Sequence, residues 1–422
     1  MNVLLINPPI YDFAAHDFWL KPYGLIHIAG ILKKAGVENL YLFDFMDRSL
    51  CSRGKTDMFG RGKFCSTPIK KPAPLKNIPR NYKRYGAPLR LFIDFSSKIP
   101  KPDFVLVSTG MTYWYPGVIE VVKWARTLFP ESKVILGGTY SSILRDHARK
   151  FVNPDHIFRD IKGLFEFMEI GKEPEEAMPL WDLYHALPYG VVKLTDGCPF
   201  RCTYCAVWIL SPGYKIHDPG RVFREIMYFK SRGIENVAFY DDALLVNPAR
   251  AFLPLLDMLK GRGMRFHTPN ALHARFITSE VARAMRRAGF QTIYIGYETS
   301  DPIRQKITGG KVTRDQFHRA VDNLLSAGFK KDQITVYLLM GLPGQPAEEV
   351  EEGMYEISKL GLKIMLSEYS PIPGTPDGER AREILDIDEP LLQNNIVFPI
   401  AYYGYETVKR LKALKNRLNS RR

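Results

Sequence analysis

The chain has 422 residues, of which 45% are apolar and 25% are charged. This length predicts two or three domains, and the composition excludes both an intrinsically disordered chain and a small disulfide-stapled scaffold. Five cysteines, an odd number, disfavour a secreted disulfide framework and indicate a reducing compartment, with the cytoplasm as the default. The first apolar run, Val3 to Ile6, is short, and no segment reaches the ~18 apolar residues of a membrane-spanning helix. We expect neither export nor a transmembrane segment.

The positive charge is concentrated in two segments. The formal net charge is +14, yet the stretch from Cys51 to Lys101 alone carries +11 and residues 407–422 carry +7, which leaves −4 for the remainder. Clustered Lys and Arg indicate an anionic partner such as nucleic acid, phospholipid headgroups or a phosphorylated substrate. The alternative is that both segments carry charge only as solvated surface.

Residues 1–160 show an alternation of short strands and helices. Strands are expected at Val3 to Ile6, Leu40 to Phe45, Phe104 to Ser108 and Val134 to Leu136, and helices at Tyr23 to Ala35, Gly117 to Phe129 and Ser141 to Phe151. Apolar strands joined by crossover helices predict a doubly wound, Rossmann-like parallel sheet that binds ligands at the carboxyl ends of its strands.

A proline-rich basic insertion, residues 51–100, interrupts this first domain. It shows no sustained periodicity, so we expect a long functional loop or a cover. Cys51 and Cys65 lie in the insertion and remain without an assigned role. Residues 161–187 are expected to form a connector to the next domain, with one amphipathic piece near Leu164 to Met168.

A second alternation is predicted for residues 188–385. Strands are expected at Val191 to Thr195, Asn236 to Tyr240, Met264 to Thr268, Thr292 to Ile295, Ile334 to Leu339 and Lys363 to Glu368. Helices are expected near Arg221 to Ser231, Pro248 to Lys260, Ser279 to Ala288, Arg314 to Ala327 and Ala347 to Leu360. Six βα repeats predict a partial (β/α)6 barrel with its chemistry at the strand C-termini. The overall fold class is therefore α/β, and residues 386–422 form a C-terminal extension with a basic helix at Val408 to Leu418.

Three cysteines follow the first barrel strand in a CxxxCxxC arrangement, at Cys198, Cys202 and Cys205. Such a short loop can wrap three thiolates around one iron–sulfur cluster and leave one iron open to a substrate or cofactor. The alternatives are a zinc site or free thiols. Zinc is disfavoured because no fourth Cys or His stands at zinc-finger spacing, the nearest later histidine being His217.

This motif at the end of the first strand of a six-repeat barrel resembles the radical S-adenosylmethionine (radical SAM) superfamily, over about Val191 to Pro376. The resemblance implies that the three cysteines bind a 4Fe-4S cluster whose open iron is chelated by SAM. It further implies reductive cleavage of SAM to methionine and a 5′-deoxyadenosyl radical. An external electron donor of the flavodoxin or ferredoxin type would then be required.

Further residues match the superfamily at expected strand ends. The resemblance places Tyr204 along the adenine, Glu298 of a Gly-x-Glu element on SAM, and Gly341 and Pro343 in a Gly-Leu-Pro-Gly turn followed by Glu348. A carboxylate and close backbone approach suit a zwitterionic nucleoside, and Arg275 could pair with its carboxylate. The alternatives are that Glu298 orients the barrel mouth, that the turn only ends a strand, and that Arg275 forms a surface ion pair.

Asp241 and Asp242 end the second barrel strand, where many superfamily members have Gly-Gly-Glu. Inside the barrel mouth this acidic pair would bind the SAM amino group or the substrate. On the outside it would cap the following helix. We expect an active-site role.

The first domain is similar to the cobalamin-binding domain that precedes many radical SAM enzymes. The likeness includes Pro8-Pro9, Tyr23-Gly24-Leu25 and the strand-end residues Ser108, Thr112, Gly137 and Gly138. The Asp-x-His-x-x-Gly motif of that family is missing, because Asp12 and His16 have the wrong spacing. The resemblance therefore implies cobalamin held without a histidine ligand, and the alternative is a scaffold or lid that binds none.

These features predict a cytoplasmic radical SAM enzyme that uses a 4Fe-4S cluster, SAM and cobalamin. The leading reaction is methyl transfer to an unactivated carbon of a small-molecule, lipid or anionic substrate. One alternative is a cobalamin-independent radical SAM enzyme, such as a cyclase, a sulfur-inserting enzyme or a rearranging enzyme. Another is a basic RNA- or membrane-binding module with a structural or redox-sensing cluster.

Overall fold

The computed structural model describes residues 1–51, 55–171, 173–174 and 176–420. The chain divides into two compact units, Met1–Pro188 and Tyr189–Arg422. The expected connector, residues 161–187, lies within the first unit, and the C-terminal extension lies within the second.

The first unit contains strands and helices in alternation. Its strands are β1 (Asn2–Asn7), β2 (Ile10–Asp12), β3 (His16–Asp17), β4 (Asn39–Asp44), β5 (Gly62–Lys63), β6 (Ser66–Pro68), β7 (Lys83–Tyr85), β8 (Phe104–Thr109), β9 (Lys133–Gly138) and β10 (His156–Ile157). Its helices are α1 (Tyr23–Lys34), α2 (Leu89–Ser96), α3 (Tyr115–Leu128), α4 (Thr139–Ile143), α5 (Arg145–Phe151) and α6 (Ile161–Phe167).

Five of these strands form a parallel sheet in the order β10-β9-β8-β1-β4. Successive side chains of a strand point to opposite faces, and both faces are buried here. Leu4 and Ile6 of β1 pack in a core with α2 and α3, whereas Val3 and Leu5 pack in a second core with α1 and α6. Continuous apolar strands are thus explained by helices on both faces, as the doubly wound prediction requires.

The basic insertion contains short strands, which differs from the expected long loop and is compatible with the alternative of a cover. Its strands β6 and β7 form an antiparallel sheet with β2, and β5 pairs with β3. Cys51 and Cys65, left unassigned above, form a disulfide with a Cα–Cα distance of 6.2 Å. These strands of two and three residues are too short to show a detectable period in the sequence.

A buried ion pair attaches the insertion to the sheet domain. The guanidinium of Arg84 on β7 donates to Glu120 of α3, with a closest N–O distance of 2.7 Å, and also to the carbonyl of Ala87. The hydroxyl of Tyr11 donates to the same carboxylate. Part of the insertion's positive charge is therefore neutralised within the chain.

The second unit continues the alternation. Its strands are β11 (Gly190–Val192), β12 (Thr195–Gly197), β13 (Tyr214–Ile216), β14 (Asn236–Phe239), β15 (Arg265–His273), β16 (Phe290–Glu298), β17 (Ile334–Met340) and β18 (Lys363–Glu368). Its helices are α7 (Val207–Leu210), α8 (Pro219–Ser231), α9 (Phe252–Leu259), α10 (Ser279–Ala288), α11 (Pro302–Ile307), α12 (Arg314–Ser326), α13 (Ala347–Lys359), α14 (Pro376–Ala381), α15 (Val397–Tyr403) and α16 (Tyr405–Ser420).

Six parallel strands form the main sheet of this unit in the order β11-β14-β15-β16-β17-β18. The basic terminal helix α16 buries Val408, Leu411, Leu414 and Leu418. The Asn419 side chain accepts from the Ile364 amide at 3.0 Å and donates to its carbonyl at 2.9 Å, which protects the edge strand β18. The predicted α/β class, with its parallel sheets and basic terminal helix, is confirmed.

Two predicted elements are interrupted. The strand expected at Val191 to Thr195 leaves the parallel sheet after Val192, and Thr195 begins the antiparallel β12–β13 hairpin. The helix expected at Ser141 to Phe151 is divided at Leu144, whose φ of −113° and ψ of 54° are not helical. Among the helices of the described residues, none has the length and apolar character needed to cross a membrane.

Candidate active site

The three predicted cluster ligands lie in the loop after β12 as free thiols. Gly197 leads into this loop with a φ of +74°, and a Cβ there would lie 2.3 Å from the carbonyl oxygen of Gly213. Only glycine fits this approach. Each sulfur has a hydrogen-bond donor: the Phe200 amide on Cys198, the Tyr204 hydroxyl on Cys202, and the Val207 amide on Cys205.

Contacts on both sides fix the backbone of the cysteine loop. The Thr203 hydroxyl donates to Asp377 Oδ2 at 2.5 Å, and the Asp377 amide donates back to the Thr203 carbonyl at 3.0 Å. On the other side, the Thr203 amide donates to the Thr308 carbonyl at 3.3 Å. A Cβ on Gly309 would lie 3.0 Å from Cys202 Cα, so the segment after α11 packs directly on the loop.

The donor set of this loop fits an iron–sulfur cube. Among the described residues, no three His, Cys, Asp or Glu side chains converge closely enough for a single metal ion. A cube instead attaches each thiolate to a different iron, and hydrogen bonds to the sulfurs tune such clusters. Burial raises the pKa of all three thiols, that of Cys205 to about 11, so the thiolates need cationic stabilisation.

Lys311 provides this positive charge, and sequence reasoning did not identify it. Its ammonium donates to Glu298 Oε1 at 2.6 Å, and both side chains are largely buried. Burial opposes this charge, but Glu298 and the nearby cysteines hold the pKa of Lys311 above its ordinary value. The same ammonium lowers the pKa of each of the three thiols and so favours their thiolate forms.

The Glu298 backbone is strained in a manner typical of functional positions. Its φ is +67°, and the β16–β17 register shifts between Gly296 and Glu298. A Cβ on Gly296 would lie 2.6 Å from Glu298 Oε1 and 2.9 Å from Lys311 Nζ. The glycine of the predicted Gly-x-Glu element therefore makes room for the Lys311–Glu298 ion pair.

Arg275 lies beside the cysteine loop. Its guanidinium donates to the Gly310 carbonyl at 2.5 Å and lies 5.3 Å from the centre of the Phe200 ring. His273 packs edge-on against Phe200 with the ring centres 5.0 Å apart, and burial lowers its pKa to about 3. The proposed contact of Arg275 with the SAM carboxylate stays a prediction, while in the structure Arg275 supports the segment that carries Lys311.

The acidic pair after β14 occupies two different environments. Oδ1 of Asp241 accepts from the Leu194 amide at 2.9 Å and from the amide and hydroxyl of Thr195, which turns the chain from β11 into β12. Its Oδ2 has no hydrogen-bond partner among the described residues, and burial raises the pKa of Asp241 to about 7. Asp242 is half-buried, and burial raises its pKa as well. Neither carboxylate caps α9, which begins at Phe252.

A further polar group next to this pair was missed in the sequence. Asp196 binds the Lys193 ammonium at 2.7 Å and His217 Nε2 at 2.6 Å. Although burial opposes its charge, these two partners hold the pKa of Asp196 well below its ordinary value. In the sequence, the spacing of His217 bears only on a zinc site, whereas the β12–β13 pairing places its ring against Asp196.

The other predicted SAM-binding residues lie on the β17 side of the sheet. The Tyr204 ring packs in an apolar cluster with Leu342 and Tyr369. The amide of Gly341 donates to Gln345 Oε1 at 3.0 Å, and Pro343 is half-buried in the same turn. Glu348 is exposed, and the buried carboxylate is its neighbour Glu349, which pairs with Arg304 at 2.7 Å.

The predicted cobalamin residues of the first unit lie at the carboxyl edge of its sheet. The Ser108 hydroxyl donates to Asn7 Oδ1 at 2.8 Å, and Thr112 is buried in a 3-10 turn after β8. Gly138 is exposed with a φ of +111°, and a Cβ there would lie 2.3 Å from the Thr109 carbonyl oxygen. Gly137 is half-exposed, and its Cβ would lie 3.3 Å from Phe158 Cβ.

This edge fits a large planar ligand in two respects. Gly110 and Gly138 expose backbone, and the apolar side chain of Met111, which follows Gly110, is 48% exposed. His16, the histidine that follows β1, is exposed on β3, where it pairs with Lys63 of the insertion. The site thus presents backbone and an apolar surface, and the insertion pairs with the strand that carries His16.

Comparison with known proteins identifies the second unit. Residues 192–354 match the radical SAM superfamily. An uncharacterized methyltransferase of Pyrococcus horikoshii is 26% identical, with 77% of each chain covered. An anaerobic magnesium-protoporphyrin IX monomethyl ester cyclase of Cereibacter sphaeroides is 23% identical. The match spans 95% of this chain and 66% of the cyclase.

A solved structure extends the similarity to both units. The radical S-adenosylmethionine methyltransferase TsrM of Kitasatospora setae, with cobalamin and a 4Fe-4S cluster bound, has a TM-score of 0.67 at 15% identity. The match covers 91% of this chain and 75% of that chain. At this identity the similarity shows a shared fold.

Proposed function

Because the chain carries a radical SAM domain over residues 192–354 and is a radical SAM enzyme, we propose that it is a cobalamin-dependent methyltransferase acting on an unactivated carbon. The observation that carries the proposal is the relative named a methyltransferase, which matches 77% of the chain. The TsrM-like fold of the chain supports it, because the carboxyl edge of the first sheet presents the small residues that a corrin would need.

When bound, the cluster supplies the electron that cleaves SAM, and cobalamin supplies the methyl group. The chain's own residues prepare the site: Cys198, Cys202 and Cys205 bind three irons, and Lys311 offsets the thiolate charge. Glu298 binds the SAM ammonium or hydroxyl groups, and Tyr204 lies along the adenine. Asp241 or Asp242 contacts the substrate or the SAM amino group.

Cobalamin would be held in the first unit without a histidine ligand. Ser108 and Thr112 would bind polar groups of its nucleotide tail, and Gly137 and Gly138 would permit close backbone approach. The test is anaerobic protein reconstituted with iron and sulfide, loaded with hydroxocobalamin and desalted. We expect one corrin per chain, cleavage of SAM, and a methylated product in a mass-spectrometric screen.

The second candidate is a radical SAM cyclase that works without cobalamin; its ring-closing reaction is supported by a relative that is named a cyclase and matches 95% of this chain. In that case SAM is cleaved while no corrin is retained. Protein that binds a cluster but cleaves no SAM under a strong reductant would instead favour a structural or redox-sensing cluster. The three outcomes differ in two measurements, corrin retention and SAM cleavage.

The exposed lysines of the insertion support a contact with an anionic partner. Lys71 donates to the Ile78 carbonyl and Arg84 pairs with Glu120, whereas Lys55, Lys70 and Lys76 are exposed. Affinity for a polyanion should fall with salt, with a log–log slope set by the phosphates neutralised. Replacing those three lysines with Gln should reduce the slope, whereas Lys260→Gln in the second unit should not. Titrations with tRNA, DNA and anionic vesicles distinguish the classes of partner. Binding that does not depend on salt would exclude a polyanionic partner at these lysines.

We further propose that the enzyme works in the reducing cytoplasm. Three free thiols and an oxygen-sensitive cluster suit that compartment, where the Cys51–Cys65 pair would be reduced. Labelling of thiols in extracts prepared under acid quench distinguishes the two states of Cys51 and Cys65.

A further inference from the structure

Helix α11 presents an apolar surface that the proposed reaction does not use. Ile303 and Ile307, four residues apart and hence on one side of the helix, are 73% and 54% exposed. Lys306 lies on the same side and is exposed. We define the α11 surface as Arg201, Ile303, Lys306, Ile307 and Gly309.

The α11 surface is close to the cysteine loop. Gly309, two residues after Ile307, would place a Cβ 3.0 Å from Cys202 Cα and 3.3 Å from the Arg201 carbonyl oxygen. The Thr308 carbonyl accepts from the Thr203 amide. A protein seated on α11 would therefore lie next to the backbone that holds a cluster ligand.

An ion pair and hydrogen bonds hold the opposite side of α11 against the protein, so the two isoleucines face outward. Arg304 pairs with Glu349 and donates to the Gly344 carbonyl at 2.6 Å. Gln305 is buried and donates to the Thr299 carbonyl at 2.7 Å. Asp301 caps the first turn through the Arg304 amide. The inward positions are polar and satisfied, and the outward ones are apolar.

The charges around the isoleucines are positive. Lys306 and the exposed Arg201 form no ion pair with an acidic side chain among the described residues, and the carboxylate of Asp301, the residue just before α11, accepts from the Arg304 amide as the helix cap. An apolar centre with a cationic rim favours an acidic partner. Electron-transfer encounters are among the smallest protein interfaces.

We propose that the α11 surface is the docking site of an acidic one-electron carrier, a reduced flavodoxin or ferredoxin. This rests on the proposed function, which requires an external donor. In each encounter the carrier loses one electron, and the cluster gains it, passing from the 2+ to the 1+ state. Proximity of α11 to Cys202 gives that electron a short path.

The test compares two reductants on the full-length, anaerobically reconstituted protein. Cluster reduction is followed by the bleaching of its visible absorption in stopped flow, with flavodoxin hydroquinone or with dithionite. We expect Ile303→Ser with Ile307→Ser, and separately Lys306→Glu, to slow reduction by flavodoxin about tenfold and leave reduction by dithionite unchanged. Lys306→Glu should also weaken the salt dependence of the flavodoxin rate.

Two surface variants of the same unit serve as controls. Tyr355→Ser removes an exposed aromatic ring on α13, and Lys260→Glu reverses an exposed charge after α9. Both should keep the parent rate with either reductant. Equal flavodoxin rates for parent and α11 variants would overturn the docking proposal. Loss of SAM cleavage with dithionite in the parent would instead refute the proposed function, because cluster reduction is measured separately.

Discussion

The cysteine loop of the second unit and the carboxyl edge of the first sheet both prepare a cofactor site, but they do so with different parts of the chain. In the loop, chemistry resides in side chains: three thiols, each with a donor on its sulfur, and one ammonium. At the edge, Ser108 is engaged with Asn7, and the exposed groups are glycine backbone and the apolar side chain of Met111.

This difference explains why residue types and their spacing predict the cysteine site, whereas the carboxyl edge is predicted only through the family resemblance. Iron needs thiolates, so the residue types and their spacing must appear in the chain. A corrin bound without a protein ligand needs only shape and backbone, which many residues supply. Substitutions should therefore abolish function at the loop but only weaken binding at the edge.

The largest effect is expected for the cluster ligands. Cys198→Ala, Cys202→Ala or Cys205→Ala should each reduce bound iron and SAM cleavage to the background of cluster-free protein, because a thiolate ligand cannot be replaced by a methyl group. Iron analysis and chromatographic detection of 5′-deoxyadenosine measure both. Cys51→Ser with Cys65→Ser is the matched control and should keep the full iron content. A triple Ala variant that still cleaves SAM would end the assignment of these ligands.

A smaller effect is expected for Lys311, which tests whether the loop depends on a charge outside the motif. Lys311→Met leaves Glu298 buried without its partner, which costs about 3–5 kcal/mol. It also removes a positive charge near three thiolates and should lower the midpoint potential of the cluster by on the order of 50 mV. Potentiometric EPR and thermal unfolding measure the two effects.

The double variant separates pairing from electrostatics at the cluster. Lys311→Met with Glu298→Gln removes the unpaired carboxylate, so stability should recover while the potential stays nearer the parent value. Lys260→Met, on an exposed lysine, should change neither property. An unaltered potential in Lys311→Met would mean that this ammonium serves only Glu298.

Much of the fold could be predicted from the sequence because its strands are apolar on both faces. The strand at Lys363–Glu368 and the helix at Ser279–Ala288 have the predicted bounds. The interruption after Val192 could not be predicted, because it depends on a distant residue. Asp241 accepts hydrogen bonds from the Leu194 and Thr195 amides, which lie 47 and 46 residues earlier in the chain. Local periodicity carries no information on such a contact.

The site could likewise be predicted only where its residues belong to local motifs. The three cysteines and Glu298 belong to motifs, whereas Lys311 is brought to Glu298 by α11 and the two-glycine segment after it. The strands of the insertion could not be predicted, because they have two or three residues and pair across a long sequence separation. Asp196 and His217 were separated in the sequence and meet only through the β12–β13 hairpin.

At the carboxyl edge, two adjacent glycines should separate folding from cobalamin binding. Gly138→Ala strains a backbone with a φ of +111° against the Thr109 carbonyl and should cost roughly 1–3 kcal/mol, with corrin retention falling as the unit loosens. Gly137→Leu has no positive φ to strain and should lower corrin retention severalfold with a smaller loss of thermal stability.

Gly171→Leu, at an exposed position with open space around it, is the control for both glycine variants. Corrin absorbance after desalting and the thermal midpoint are read from the same samples. Full corrin retention by folded Gly137→Leu would place the ligand away from this edge. The comparison between a side-chain site at the cysteine loop and a backbone site at the edge would then fail.

The last effect is a pH dependence at Asp241, whose carboxylate accepts from the amides of the turn between β11 and β12. Its pKa of about 7 in the folded chain lies above the ~3.9 of an unfolded Asp, chiefly because of burial. Between these values the folded state holds the proton that the unfolded state has released, so this residue's contribution to stability falls as pH rises from about 4 to 7 and is constant above that range. The full difference is on the order of 4 kcal/mol as an upper bound.

Asp241→Asn keeps an acceptor for the Leu194 and Thr195 amides and cannot ionise. The thermal midpoint of Asp241→Asn should therefore match the parent near pH 5 and exceed it by a few degrees near pH 8, and a gap independent of pH would mean that Asp241 is ionised throughout.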